Sequence, residues 1–111
     1  MIEIIIKIFL DAHLSVSSFL EKKGEMPSSY VLFEKTGSSK NNHLLSSTFA
    51  FQSYAPSMYE AAKLNEELKK VVEQLIELNE ISDVSLNSDY NFTDTETKEY
   101  RYQAVFDINH Y

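Results

Sequence analysis

Between Ser57 and Asn79 the apolar residues fall three and four apart: Ala61, Leu64, Leu68, Val71, Leu75 and Leu78, a stripe that Val72 and Ile76 widen. That spacing is one face of an α-helix and predicts a long helix over about residues 57–79. Ser57, directly after Pro56, is placed to cap it, and Glu60 three residues on completes a capping box. On the opposite face Lys63 and Glu67, Glu66 and Lys70, and Lys69 and Glu73 stand four apart, as in a solvated row of ion pairs. No second stripe of this kind occurs, so the apolar face is expected to pack on a sheet rather than in a coiled coil.

Beyond this segment the period changes to two. Val84, Leu86, Tyr90 and Phe92 alternate with Ser85, Asn87, Asp89, Asn91 and Thr93. After a turn near Asp94–Thr97, Tyr100, Tyr102, Ala104, Phe106 and Ile108 alternate with Arg101, Gln103 and Asp107. This is the pattern of a β-hairpin buried on one face, closed by a loop without Asn-Gly or Asp-Gly. Tyr30–Thr36 and Thr48–Tyr54 read as two earlier strands, and a weaker one runs from Val16 to Glu21. Gly37, Ser38, Ser39, Lys40, Asn41 and Asn42 read as a polar loop of turn-formers between the two earlier strands. Such loops carry binding more often than packing, so this one is a candidate interface, mobile in the isolated subunit. Residues 2–10 fit both periods. Five isoleucines favour a strand, yet Ile2, Ile5, Ile6 and Phe9 also share a helical face.

Length and composition narrow the class. A chain of 111 residues with 43% apolar and 24% charged residues is one globular domain, residues 1–111, neither a disordered tail nor a membrane protein. The absence of cysteine excludes disulfides, thiol catalysis and cysteine-ligated metals. The net charge of −7 argues against a sequence-independent grip on nucleic acid. Residues 80–111 hold seven acids and two bases, a net of −5. The apolar run at residues 2–10 carries Glu3 and Lys7, too polar for a signal peptide and too short for a bilayer span, so a cytosolic protein is expected.

The order of these elements is similar to that of a known family. An apolar first segment and a short strand are followed by YVLFEKTG (Tyr30–Gly37) and TFAFQSYAPS (Thr48–Ser57). A long helix MYEAAKLNEELKKVVEQL (Met58–Leu75) and a closing hairpin SDYNFTDTETKEYRYQAVFDINHY (Ser88–Tyr111) complete it. The whole chain resembles the tail-completion, or tail-terminator, proteins of long-tailed bacteriophages and prophages of Gram-positive hosts. The resemblance implies a helix for residues 2–13. It implies an α/β (α+β) fold: a mostly antiparallel sheet of four to five strands with the long helix on one face. It further implies a non-enzymatic minor structural protein of the virion, assembled in the host cytoplasm as a ring, commonly a hexamer. The ring would meet the tail-tube protein on one side and a neck or head-completion protein on the other, and join tail to head.

Chemical motifs are weak throughout. His13, His43 and His110 lack metal-ligand spacing and read as isolated surface or interface residues. Asp89, Asn91 and Thr93 begin like a calcium loop, but Asp94 stands where glycine is needed and Tyr100 where the bidentate Glu belongs. Thr36–Lys40 lacks the glycines of a phosphate loop. No cofactor, metal or catalytic set is therefore expected. In a ring around DNA, the acids Asp89, Asp94, Glu96, Glu99 and Asp107 are expected to line the opening, where they would repel phosphate and let DNA slide. Two other classes stay open on the residues: a small α/β enzyme or ligand-binding domain, and a regulatory module that docks through its helix.

Overall fold

The computed structural model describes residues 1–41 and 44–111. Helix α1 (Ile2–His13) and strand β1 (Ser18–Phe19) precede β2 (Tyr30–Asn41) and β3 (Leu44–Ala55). Helix α2 (Met58–Glu73) runs into a single 3-10 turn (Gln74–Glu77), and β4 (Ile81–Asn91) and β5 (Tyr100–His110) close the chain. The five strands form one sheet in the order β1-β2-β3-β5-β4. Only the β1–β2 pair is parallel; the other three are antiparallel. The expected α+β class is what folds.

Burial decides the ambiguity at the N-terminus. Ile2, Ile6, Phe9 and Leu10 are all buried, at the spacing of one helical face, and their packing outweighs the β preference of the isoleucines. Ser57 caps α2 as expected: its hydroxyl accepts from the Glu60 N–H at 3.2 Å. The long helix ends earlier than its stripe suggests. At Gln74 the backbone N–H is shared among the carbonyls of Lys70, Val71 and Val72, and the chain tightens into the 3-10 turn. Leu75 stays buried through that turn.

Both helices pack on one face of the sheet. Val31, Phe33, Phe49, Phe51, Ala104, Phe106 and Ile108 meet Ile2, Ile6, Phe9 and Leu10 of α1 and Leu64, Leu68, Val71 and Val72 of α2 in one cluster. Phe33 stacks on Phe51 at 5.6 Å, and Phe51 meets Phe106 edge to face at 5.9 Å. The other face, open among the described residues, carries Leu32, Glu34, Gln52, Gln103, Val105 and Asp107, which alternate with core positions along paired strands.

Three bulges reset that alternation. In β2 the register with β3 shifts between Lys35 and Gly37, leaving Thr36 unpaired, and then continues to Asn41 opposite Leu44. The residues read as a polar loop, Gly37 to Asn41, are therefore strand. Their neighbours Ser46 and Ser47 on β3 are equally polar, and β1 reaches only Val31 and Leu32, so this stretch of β2 is an edge with few apolar positions to bury. Asn42 lies outside the described residues. Strand β4 carries two bulges, between Ile81 and Asp83 and between Leu86 and Ser88. The second turns Asp89 to the helix side, opposite Ala104, and Tyr90 to the open side, opposite Gln103.

Candidate functional site

The acids expected to act together are separated. Asp89, taken from the sequence to share an outward face with Asp107, points instead at α2. Its carboxylate accepts from Asn65 Nδ2 at 2.7 Å and from Lys69 Nζ at 2.6 Å. Lys69 also reaches Glu66 at 2.9 Å, and these partners hold its ammonium form, raising its pKa despite burial. The expected Lys69–Glu73 pair is thereby replaced. Glu67, expected to pair with Lys63, accepts from both the backbone N–H and the hydroxyl of Ser15, at 2.7 and 2.8 Å. This fastens the segment after α1 to α2.

Asp107 does lie on the open face. It accepts from Thr48 Oγ1 at 2.7 Å and from Asn87 Nδ2 at 3.1 Å. Asp94, Glu96 and Glu99 sit in the β4–β5 connection, before β5 begins, so they and Asp107 are at opposite ends of that strand. Asp94 accepts from the backbone N–H groups of Glu96 and Thr97, which hold its carboxyl below the usual range although it is solvent-exposed. Its oxygen thus builds the turn, while Lys98 takes the left-handed conformation at φ 58°. Glu99 pairs with Lys22 at 2.8 Å and ties the turn to the segment before β2.

That end of the sheet gathers aromatic rings and cations the sequence reading did not single out as a group. Tyr30 and Tyr54 stack at 4.6 Å. Lys22 Nζ stands 4.7 Å from the Tyr54 ring centre. Arg101 donates to the Tyr54 hydroxyl at 2.9 Å and to the Phe92 carbonyl at 2.8 Å, with its guanidinium over the Phe92 ring. Cross-strand pairing of Tyr30 with Tyr54 and of Tyr54 with Arg101 was the only available signal, and it needed the register. The cluster staples the ends of β2, β3 and β5 to the β4–β5 turn.

His110, expected as an isolated surface or interface residue, is not isolated. It is buried, and Nε2 lies 2.9 Å from Ser47 Oγ, itself buried on β3. His110 borders a groove of about 340 Å³ also lined by Met1, Ile5, Lys35, Leu45 and Tyr111. A nucleophilic serine needs access to substrate, and Ser47 is 2% exposed. Burial pushes the His110 pKa below its usual value, with Lys35 adding to the fall and Glu3 and the Tyr111 backbone opposing it. Above pH about 6.5 the imidazole is neutral in both folded and unfolded chains. As pH falls below that, the unfolded chain takes up a proton that the folded chain resists, so stability drops. Urea midpoints are expected to decline between pH 7.5 and 5 in the wild type and to decline less in His110→Gln. Equal slopes would place His110 in an environment like solvent. Asp11 does not interfere. Burial opposes its ionisation, but Ser18 and Lys7 outweigh that and hold its pKa below 3.8, so its contribution is lost only at lower pH.

His13 stacks on Phe9 at 4.1 Å and meets the Phe9 carbonyl, and His43 lies outside the described residues. Among the described residues, no group of three or more His, Asp and Glu side chains converges as metal ligands do. No helix of the described residues is long and apolar enough to cross a membrane. A groove of about 480 Å³ is open and lined by Asp11, Ser15, Ser17, Ser28 and Ser29 beside Leu14, Val16 and Pro27. What the molecule does present is uncovered apolar surface: Met1 just before α1 with Ile4 and Ile8 on it, Ile76, Leu86, Tyr90 and Phe92 around β4, and Leu20, Leu44, Leu45, Tyr59 and Tyr111 elsewhere. No protein-family model matches this chain, and neither does any curated protein sequence.

Proposed function

We propose that the chain is a self-assembling structural subunit of a bacteriophage neck, of the tail-terminator kind, that closes the tail and joins it to the head. The observation that carries this reading is the set of large exposed apolar residues near α1 (Met1, Ile4, Ile8) and near β4 (Ile76, Leu86, Tyr90, Phe92), with Leu20, Leu44, Leu45, Tyr59 and Tyr111 exposed elsewhere. Apolar surface left in several places on one subunit suits repeated association rather than a monomeric catalyst. The element order shared with that family supports the same reading. In such a ring, commonly of six subunits, the helices lie outside and the open sheet face turns toward the DNA. The acidic surface is then Glu34, Asp83 and Asp107 rather than the full set read from the sequence. Partners are the tail-tube protein and a head-completion protein.

Removal of the gene from a phage that carries it is the test. Filled heads and separate, unjoined tails are the expected result, with joining restored when the chain is supplied in trans. Normal virions from the deletion strain would refute the assignment.

A further inference from the structure

The chain between β1 and β2 is fastened mainly through one side chain. Residues 20–25, 27 and 28 are exposed, and Gly24 takes the left-handed conformation at φ 54°, where an added Cβ would meet nothing within 4 Å. Among the described residues, Lys22 is the one member of this strap, residues 21–28, that bonds to another element. Its Nζ donates to Glu99 at 2.8 Å and stands 4.7 Å from the centre of the Tyr54 ring. Glu99 holds the ammonium form and raises the Lys22 pKa against the opposing effect of burial. The two side chains remain 41 and 40% exposed, so water reaches the contact and the pair adds little stability of its own.

What receives Lys22 is built without it. Tyr30 and Tyr54 stack at 4.6 Å, and Arg101 donates to the Tyr54 hydroxyl at 2.9 Å, so the ring is fixed by two other residues. Glu99 is placed by its backbone: its carbonyl accepts from the Asp94 N–H at 3.2 Å, beside the turn that the Asp94 carboxylate organises. Arg101 also stands over the Tyr54 ring, at 5.5 Å, so the ring alone would not favour a second cation; the Glu99 carboxylate supplies the attraction. Ring and carboxylate come from β3 and the β4–β5 connection, which are joined through β5 and not through the strap. One aromatic ring and one carboxylate oxygen suit the compact charge of a primary ammonium better than the planar fork of a guanidinium. Beside them opens a groove of about 210 Å³ whose lining includes Tyr30, Tyr54, Pro56, Glu99 and Tyr100, with the like charge of Lys98. It leaves room for the stem that bears such a group.

We infer that this is a lysine-binding seat filled in cis: the strap lays Lys22 into a site that also takes a lysine side chain of a partner protein. The strap then acts as a tethered competitor. A segment bonded through one exposed pair leaves readily, while the stacked tyrosines and the Asp94 turn keep the seat in shape for an incoming ammonium. With Lys22 gone, Asp94, Glu96 and Glu99 outnumber Lys98 in the β4–β5 connection, so the site attracts cations. The tether sets a threshold. The cis lysine acts at an effective concentration on the order of millimolar, so a partner displaces it only with several lysines or with further contacts in the groove. The seat needs no ring and stands apart from the neck reading.

The probe is Nα-acetyl-lysine methylamide, titrated into the full chain and followed by heteronuclear NMR. Lys22→Ala empties the seat by a surface change. That variant should bind the probe saturably, with shifts confined to Tyr30, Tyr54, Glu99 and their neighbours. The wild type should need at least about tenfold more probe for the same shift, because Lys22 competes. Lys22→Ala combined with Glu99→Ala should show no saturable shift. Nα-acetyl-norleucine methylamide, which has the stem without the ammonium, should not bind the single variant. Equal titrations of the wild type and Lys22→Ala, or of the single and double variants, would overturn the inference and leave the pair a staple of the fold. If Lys22→Ala does not fold, Lys22→Met, which keeps the stem, is titrated in its place. Failure of both variants to fold would make the strap structural and sink the inference equally.

Discussion

Leu68→Ala should lower the unfolding free energy by about 2–5 kcal/mol, the largest effect of any single change considered. Leu68 is fully buried on the sheet side of α2, in the same cluster as Phe51 and Phe106. Truncation removes the transfer energy of its outer methyl groups and leaves a cavity that the aromatic rings of three strands hold open. Leu75→Ala belongs to the same range, because Leu75 is also fully buried although it has left the regular helix. Domains of this size have about 5–15 kcal/mol in total, so the double variant should be largely unfolded at 37 °C. Urea titration followed by circular dichroism reads both, with Ile76→Ala as the control. Ile76 is half-exposed and its change should cost less than about 0.5 kcal/mol. A Leu68→Ala loss as small as that of Ile76→Ala would mean that the stripe does not face the sheet.

The second large effect is expected at Asp89. Its carboxylate joins Asn65, itself 2% exposed, and Lys69 across the α2–β4 gap. Asp89→Ala leaves the buried Asn65 amide donor without its acceptor and the largely covered Lys69 ammonium with Glu66 alone. Hydrogen bonds to a charged group are worth about 1.5–3 kcal/mol each, and the orphaned Asn65 donor keeps its desolvation cost. A loss of about 2–3 kcal/mol is expected, against almost none for the exposed Glu96→Ala. In a double-mutant cycle Asp89→Ala and Asn65→Ala should be clearly non-additive. Additive losses, or an Asp89→Ala variant as stable as Glu96→Ala, would show that the carboxylate is free in solution.

Asp89 also marks where sequence reasoning stopped. Helix α2 and the β4–β5 hairpin were readable because each has one periodic apolar set and a defined start, Ser57 for the helix and the switch to alternation for the hairpin. The sheet order and the split of the acids were not. Alternation assigns faces only while one residue on a strand meets one on its neighbour, and a bulge is invisible in the residue pattern. Asn87 is such an unannounced extra residue, as Thr36 is in β2. Reading Gly37 to Asn41 as a loop failed for a related reason: serine and lysine avoid buried strands but are at home on an edge. His110 was misplaced because one polar residue at the end of an apolar strand gives no hint of a partner 63 positions away. The uncovered half of α1 was not read either: its five isoleucines were weighed only for strand against helix.

In a count of alternate residues, the bulge at Asn87 acts as a frameshift acts on a message: everything downstream is read on the other side. Loss of this one residue would close the bulge without moving the phase: Ser88 would still meet Val105, and Asp89 would still meet Ala104 and face Lys69. The extra residue interrupts the ladder but does not set the side on which Asp89 lies at the strand's present pairing. Substitutions along the outer edge of β4 should therefore be widely accepted, and so should deletion of Asn87 itself, at the cost of its hydrogen bond to Asp107.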